Sequence, residues 1–255
     1  MCPVLLHIYG PVAINTFGLF IVIGIIIALF LAKKDPRKEY IITDDQMLNL
    51  MVGCVVAGIL GARILFFILE PHQLTAWYDI FIFWQGNFTE LGSVIAIVLF
   101  GLVYLRYHKI PILPLLDFAS NYAPLVQAFS RIGCFFAGCC FGMPTMLPWA
   151  VMYIDHASLA PLHVWIHPTQ LYSSALFFIL FFALYSTRSF FTRPGQQFTL
   201  YIMGTSAIRF IIDFWRDDKV FYAAHHAITL YQWVALSLFV SACCGFLFTL
   251  RSGNK

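Results

Sequence analysis

The sequence predicts an all-α, polytopic membrane protein of about seven transmembrane helices, with the N-terminus outside and the C-terminus in the cytoplasm. Composition is the first reason, since 61% of the 255 residues are hydrophobic and only 11% are charged. Soluble domains carry roughly 25% charged residues. The second reason is the length of the apolar runs, because a helix needs about 20 mostly apolar residues to cross a bilayer. The third is the distribution of Lys and Arg among the loops.

The apolar runs form a single integral membrane domain, residues 1–255, with predicted helices at residues 16–32, 47–69, 91–107, 115–140, 168–187, 196–215 and 229–250. Polar residues interrupt the fourth and the sixth of these runs. Residues 141–167 contain prolines, which break helices, and interleaved Trp and Tyr, which favour membrane interfaces. We expect this segment to form an interfacial loop or a short arm on the outer side.

Basic residues predict the orientation, because cytoplasmic loops carry an excess of Lys and Arg. Ten of them follow the first, third, fifth and last predicted helices: Lys33, Lys34, Arg37, Lys38, Arg106, Lys109, Arg188, Arg193, Arg251 and Lys255. The opposite side has only Arg216 and Lys219. The basic residues are scattered, so the sequence carries no signature of nucleic-acid binding.

Three arginines, Arg63, Arg131 and Arg209, lie within the predicted membrane helices. A charged side chain at bilayer depth costs from roughly 2.5 to well over 10 kcal/mol, so such residues face a bundle interior or a wet cavity and mark functional sites. Arg209, Asp213 and Arg216 are spaced i, i+4 and i+7, which predicts that they share one helix face.

Guanidinium groups suit bidentate phosphate contacts, and the carboxylate of Asp213 could orient them. The combination indicates an anionic ligand reached from the membrane, most simply a phospholipid head group. The alternative is that Arg209 and Asp213 form a structural pair that only holds two helices together.

Two further residues are candidates for proton transfer. His167, at the outer start of the fifth predicted helix, can act as a base, a hydrogen-bond donor or a positioning group. Alternatively it caps a helix whose first residue is Pro168. Glu90, at the outer start of the third predicted helix, could be a base poised by partial burial. It could equally be a solvated acid favoured by the helix dipole.

Three cysteines, Cys134, Cys139 and Cys140, form a C-x4-C-C pattern near the outer end of the fourth predicted helix. A disulfide within this group is compatible with an oxidising outer side, although vicinal cysteines seldom bond each other without strain. A metal site would usually need a further ligand set such as paired C-x2-C motifs, which the sequence lacks. We therefore interpret the three as small packing residues and predict no metal site.

Four motifs in order resemble the prolipoprotein diacylglyceryl transferase family, bacterial enzymes with seven membrane spans, over about residues 15–245. RIGCFFAGCCFG (131–142) is similar to the family signature that begins Arg-x-Gly-Asn-Phe and ends in Gly. HPTQLY (167–172) resembles its His-Pro-x-Gln-Leu-Tyr segment. RFIIDFWRDD (209–218) resembles Arg-Phe-x-x-Glu-x-x-Arg, and TLYQWVALS (229–237) resembles the Gln-containing start of the last span.

The resemblance implies transfer of diacylglyceryl from phosphatidylglycerol to the thiol of a prolipoprotein lipobox cysteine, in the bacterial inner (cytoplasmic) membrane and without a cofactor. The implied partners are phosphatidylglycerol, the lipobox segment and membrane lipid. The implied catalytic residues are Arg131, Arg209, Glu90 and His167. The implied substrate-binding residues are Arg131, Gly133, Gly142, Gln170, Tyr172, Arg209, Asp213, Arg216 and Gln232.

The chain departs from the family pattern at four positions. Cys134 and Cys139 stand where the signature has Asn and an acidic residue. Glu90 stands where the family's His-Gly-Gly entrance has its histidine, and Thr205 replaces a functional tyrosine four residues before Arg209. Two other classes therefore stay open: a related lipid-group transferase with a different acceptor, and a non-catalytic phospholipid-binding or transport protein.

Overall fold

A computed structural model of the chain describes residues 3–9, 12–73, 89–191, 193–217, 222–223 and 228–251. The helices are α1 (Thr16–Lys33), α2 (Asp44–Leu69), α3 (Glu90–Tyr107), α4 (Ile112–Ser120), α5 (Ala123–Ala137), α6 (Thr169–Thr187), α7 (Gln196–Ile212) and α8 (Leu230–Arg251). The strands are β1 (Val4–Tyr9), β2 (Val12–Asn15), β3 (Val151–Met152), β4 (Trp165–Ile166), β5 (Tyr222–Ala223) and β6 (Ile228–Thr229). Each strand pairs with its neighbour in a two-stranded sheet.

The mostly helical membrane class is confirmed. Within the described residues, four helices are long and apolar enough to cross a membrane: α1, α2, α6 and α8. The apolar helices α3 and α5 are shorter by the same measure, and α7 has 17 residues. The predicted count of seven spans and the predicted orientation remain predictions. The six short strands were not predicted, because two- to six-residue pairings leave little periodic signal.

The prediction of one helix over residues 115–140 is wrong, because the chain forms α4 and α5 instead. The side-chain amide of Asn121 donates to the carbonyl of Asp117 at 2.7 Å and satisfies one of the last carbonyls of α4. Pro124 then occupies the first turn of α5, where a missing N–H costs nothing. At the other end, Gly138 takes a left-handed φ of 77° and terminates α5, so Cys139 and Cys140 lie beyond the helix.

The predicted helix over residues 196–215 ends early, at Ile212. The backbone of the following turn binds another segment instead of continuing the helix. The N–H of Met143 donates to the carbonyl of Trp215 at 2.8 Å, and the N–H of Asp217 donates to that of Phe141 at 3.3 Å. Arg209 and Asp213, at i and i+4, still meet on one face at the end of α7. Arg216 lies beyond the helix, so the prediction that all three residues share one helix face is wrong for Arg216.

The chain divides into two compact units, and the main boundaries lie after Asp35 and after Leu115. One unit contains α2 and α3, and the other contains α1 and α5 to α8, while the second boundary falls within α4. In the α2–α3 unit the two helices cross closely, since a Cβ on Gly92 would lie 2.3 Å from the carbonyl oxygen of Gly61. Arg63 is buried in this unit, and its guanidinium lies 5.2 Å from the ring centre of Phe67.

The helices of the larger unit alternate in direction. Asp35 follows α1, Tyr122 precedes α5 and Arg188 follows α6. The carboxylate of Asp35 accepts a hydrogen bond from the Tyr122 hydroxyl, and its Oδ2 lies 4.0 Å from Nη1 of Arg188. Arg193, before α7, donates to the carbonyl of Thr249 near the end of α8 at 2.9 Å. One end of this unit therefore carries Arg188 and Arg193, two of the basic residues predicted to be cytoplasmic, and α1 and α8 end there at Lys33 and Arg251. The opposite end contains the last turns of α5 and α7 and the first turns of α6 and α8.

Candidate active site

Three arginines line one cleft at the second of these ends. Arg131 lies on α5, Arg209 is in the last turn of α7, and Arg216 follows that helix. Ser173 of α6 and Ile212 of α7 also line this cleft. Arg216 is 8% exposed, and the other two arginines are partly exposed. The cleft thus gathers three positive charges from two segments that are far apart in the sequence, one with Arg131 and one with Arg209 and Arg216.

Asp213 anchors the guanidinium of Arg209. The carboxylate is 1% exposed, and its Oδ1 lies 3.6 Å from Nη2 of the arginine. The hydroxyl of Thr229 donates a hydrogen bond to Oδ2 of the same carboxylate. The ring of Tyr231 packs over the guanidinium, with 4.7 Å from Cζ to the ring centre. Arg209 is therefore held by an ion pair and a cation–π contact before any ligand arrives.

Thr229 and Gln232 form a capping box at the start of α8. The N–H of Gln232 donates to the Thr229 hydroxyl oxygen at 3.1 Å, and the N–H of Thr229 donates to Oε1 of Gln232 at 2.9 Å. The Gln232 amide also donates to the carbonyl of Phe210 on α7 at 3.3 Å. Gln232, which the sequence resemblance implied as a substrate-binding residue, connects α7 and α8 in this structure. Sequence reasoning missed Thr229 and Tyr231, although the T-x-x-Q pattern within TLYQ was an available signal.

The two predicted glycines stand at close approaches of the backbone. Gly142 pairs with Arg216 in an antiparallel bridge, and a Cβ on Gly142 would lie 2.6 Å from both Cβ and the carbonyl oxygen of His167. Gly133 faces α1, where a Cβ would lie 3.0 Å from the carbonyl oxygen of Phe17. Packing therefore accounts for the missing side chain at both positions.

A larger apolar cavity, of about 550 Å³, adjoins the arginine cleft through their shared residue Ile212. His167, Tyr172 and Trp149 are among its lining residues. Nδ1 of His167 lies 3.4 Å from the hydroxyl of Tyr172, and that hydroxyl accepts a hydrogen bond from the Trp149 indole at 2.6 Å. Pro168 is the N-cap of α6, so the helix starts one residue later than the capping interpretation of His167 predicted.

Gln170, another predicted ligand-binding residue, is 1% exposed and holds the loop that follows α5. Its amide nitrogen donates to the carbonyl of Cys139 at 2.8 Å and lies 3.5 Å from the hydroxyl of Tyr153. That hydroxyl donates to the carbonyl of Phe135 at 2.7 Å, and burial raises the pKa of Tyr153, so the phenol stays neutral. The segment 141–167 is thus a short arm, built on the β3–β4 ribbon and docked against the end of α5.

Comparison with known proteins identifies the family of the chain. A family model described as prolipoprotein diacylglyceryl transferase matches residues 3–248. This chain belongs to the prolipoprotein diacylglyceryl transferase family. The phosphatidylglycerol–prolipoprotein diacylglyceryl transferase of Clostridium tetani is 33% identical over 219 residues, which cover 86% of each chain. That of Bordetella bronchiseptica is 29% identical over 261 residues, covering 99% of this chain and 97% of the relative.

Membership in the prolipoprotein diacylglyceryl transferase family makes this protein a transferase, as the sequence resemblance predicted. The enzyme of the same name from Thermotoga maritima is 30% identical over 224 residues, covering 83% of this chain and 73% of the relative. The matched region contains both units and all residues of the arginine cleft.

Three cysteines of the motif that resembles the transferase signature converge in space. The sulfur atoms of Cys134, Cys139 and Cys140 all lie within 4.8 Å of one another. Cys134 is buried and the other two are partly exposed. The Nη1 group of Arg131 donates to Sγ of Cys140 at 3.4 Å. Sequence reasoning interpreted the three cysteines as packing residues and missed this cluster, because it did not predict that α5 ends at Gly138.

Glu90, which the sequence resemblance matches to the histidine of the transferase family, is the first residue of α3, in the α2–α3 unit. Its side chain lies outside the part of the chain that the structure describes. The catalytic role of Glu90 therefore stays a prediction.

Proposed function

We propose that this protein transfers diacylglyceryl from phosphatidylglycerol to the lipobox cysteine of a prolipoprotein, as a multi-pass enzyme of a bacterial inner membrane. The observation that carries the proposal is the cleft of three arginines that adjoins an apolar cavity at Ile212. Family membership and the names of the relatives support the same reaction.

The arginine cleft suits the phosphate of the donor. Arg131, Arg209 and Arg216 supply guanidinium groups that match phosphate oxygens in charge and in planar geometry. Asp213 neutralises part of this charge and fixes Arg209. The cleft has a volume of only about 20 Å³, so the other arginine side chains must move apart to admit a phosphate. Donors positioned in advance stabilise charge that develops on a leaving group, which is commonly a large term in catalysis.

The adjoining cavity suits the glyceryl and acyl part of the donor. Its volume of about 550 Å³ lies within the range of sites for small molecules, and its lining is mostly apolar. His167 and Tyr172 lie on this lining, where they would contact the glycerol backbone or the reacting carbon. A phospholipid bound this way has its phosphate among the arginines and its chains directed along apolar side chains.

The reaction requires a thiolate, because the thiol is a weak nucleophile with a pKa of about 8.5. The thiolate attacks the glyceryl carbon, the carbon–sulfur bond forms, and the bond from that carbon to the phosphate oxygen breaks. The electron pair goes to the phosphate, which leaves as glycerol phosphate beside Arg131 and Arg209. The proposed acceptor of the thiol proton is Glu90, by its position in the family pattern, with His167 as the second candidate.

A membrane assay tests the proposed function. Purified protein in vesicles receives phosphatidylglycerol, labelled in the head group and in one acyl chain, and a lipobox peptide. We expect a thioether-linked diacylglyceryl peptide and an equal amount of glycerol phosphate, and neither product with a peptide whose cysteine is replaced by serine. Glycerol phosphate released without a thioether peptide would favour a different acceptor. Donor binding with no product would favour the non-catalytic class.

A further inference from the structure

The cysteine cluster has the geometry of a metal site. Cys134, Cys139 and Cys140 place three sulfur atoms within 4.8 Å of one another. Zinc–thiolate bonds of about 2.3 Å in a tetrahedron separate the sulfur atoms by roughly 3.8 Å. The sulfur atoms therefore need to approach by about 1 Å or less to share one zinc ion.

The backbone around the cluster is fixed by other contacts. Cys140 has a φ of 57°, an uncommon value for a residue with a side chain, and this turn brings two adjacent cysteines to the same centre. The carbonyl groups of Cys139 and Cys140 accept hydrogen bonds from Gln170 and Thr169, each at 2.8 Å. Both donors lie in the first turn of α6, so the ligand-bearing loop is attached to a helix.

The surroundings also match the charge of such a site. Three thiolates and one Zn²⁺ carry a net charge of about −1. Nη1 of Arg131 lies 3.4 Å from the sulfur of Cys140, where it offsets that charge. Cys139 and Cys140 are partly exposed, and the cluster offers three thiols as ligands. Three protein ligands with an open fourth position are typical of catalytic zinc, whereas structural sites have four.

We propose that Cys134, Cys139 and Cys140 bind one Zn²⁺, and that the thiol of the acceptor takes the fourth position. The role of the acceptor rests on the proposed function, whereas the metal site itself does not. Coordination removes the thiol proton, which passes to the base or to water. The zinc-bound sulfur then forms its bond to the glyceryl carbon as the phosphate leaves. Arg131 contacts the cysteine cluster and also lines the phosphate cleft. The thiolate nucleophile and the phosphate leaving group would therefore both lie next to Arg131.

Metal content tests the site without reference to activity. Reduced protein in detergent is equilibrated with Zn²⁺ alone and freed of excess, and zinc per chain is measured by elemental mass spectrometry. We expect about one zinc per wild-type chain, and a thiolate-to-metal charge-transfer band when Co²⁺ replaces it. Cys134→Ser and Cys139→Ser should lose the band, whereas Cys243→Ser, on α8 and outside the cluster, should keep it. Equal zinc in wild type and Cys139→Ser, or a reduced and folded wild type that binds none, would overturn the site.

Transfer rates test the role of the metal. At pH 7 a thiol of pKa about 8.5 is only about 3% ionised, so removing zinc should slow transfer by up to about 30-fold. The deficit should disappear above pH 9 and on adding zinc back. If the protein binds zinc but its transfer rate at pH 7 is the same before and after zinc removal, the proposed activation of the thiol is wrong. Absence of thioether product at every pH would contradict the proposed function, while the zinc count would still decide the site.

Discussion

The hydroxyl of Thr229 donates a hydrogen bond to the buried carboxylate of Asp213. This contact joins the first turn of α8 to the end of α7, and the other oxygen of the carboxylate faces Arg209 at 3.6 Å. The position of an arginine in the cleft therefore depends on a threonine that also caps a neighbouring helix.

Replacing Asp213 should impair transfer through Arg209. Asp213→Ala removes the ion pair to Arg209 and the Thr229 hydrogen bond, and a hydrogen bond to a charged group contributes about 1.5–3 kcal/mol. If that energy holds Arg209 in place, kcat/KM should fall by roughly 10- to 150-fold. Asp213→Asn keeps an acceptor for Thr229 and should lose less. Asp45→Asn, an exposed acid in the first turn of α2, serves as the control. Unchanged kcat/KM in Asp213→Ala would show that the carboxylate does not orient the arginine.

Gly142→Ala should destabilise the connection between the turn after α7 and the arm. A Cβ there would lie 2.6 Å from the backbone of His167, and overpacking of this kind typically costs 1–3 kcal/mol. Gly18→Ala, on α1 with open space around the new methyl group, should instead be neutral or stabilise the helix by roughly 0.5–1 kcal/mol. Thermal unfolding in detergent compares the two variants. Equal Tm values would mean that the structure around Gly142 accommodates the methyl group without a loss of stability.

Sequence reasoning located most helices but not the local details of the site. The apolar runs predicted six of the helix positions to within three residues, because lipid-length runs have few alternative structures. The break at Asn121 was missed because it depends on a side-chain cap, and the early end of α7 depends on backbone contacts with residues 141–143. Neither a side-chain cap nor a long-range backbone hydrogen bond leaves a periodic pattern in the sequence.

The candidate site was predicted in part. Arg131 and Arg209 stood out because charge within an apolar run is costly, and the structure brings them together with Arg216. The proximity of the cysteines was not predicted, because it requires the left-handed turns at Gly138 and Cys140.

Glu90→Gln should reduce turnover by roughly 10²-fold below the pKa of the acceptor thiol, which is the usual size of a general-base contribution. The defect should shrink as pH rises, because the thiol then ionises without a base. Zinc at the cysteine cluster would lower the pH at which the defect disappears. A defect of constant size across the pH range would assign Glu90 a positioning role, and no defect would transfer the base to His167.

Reporter fusions test the predicted orientation. The basic loops predict cytoplasmic signals for fusions at Lys109, at Arg193 and at the C-terminus. A fusion at Met146, a fully exposed residue of the arm, should give an outer signal. A cytoplasmic signal at Met146 is incompatible with the seven-span topology.

The central claim is that the arginine cleft binds the phosphate of the lipid donor during transfer. The most direct measurement is the intact mass of a lipobox peptide after incubation with phosphatidylglycerol and each variant. Wild type and Arg251→Ala, which changes an exposed arginine at the end of α8, should add one diacylglyceryl group. With Arg131→Ala or Arg209→Ala, both of which should remain in the membrane, the peptide should gain no diacylglyceryl group. Lysine at either position should restore little activity, because it lacks the planar guanidinium that binds phosphate in a bidentate manner. Full modification by either alanine variant, or none by the wild type, would contradict the account.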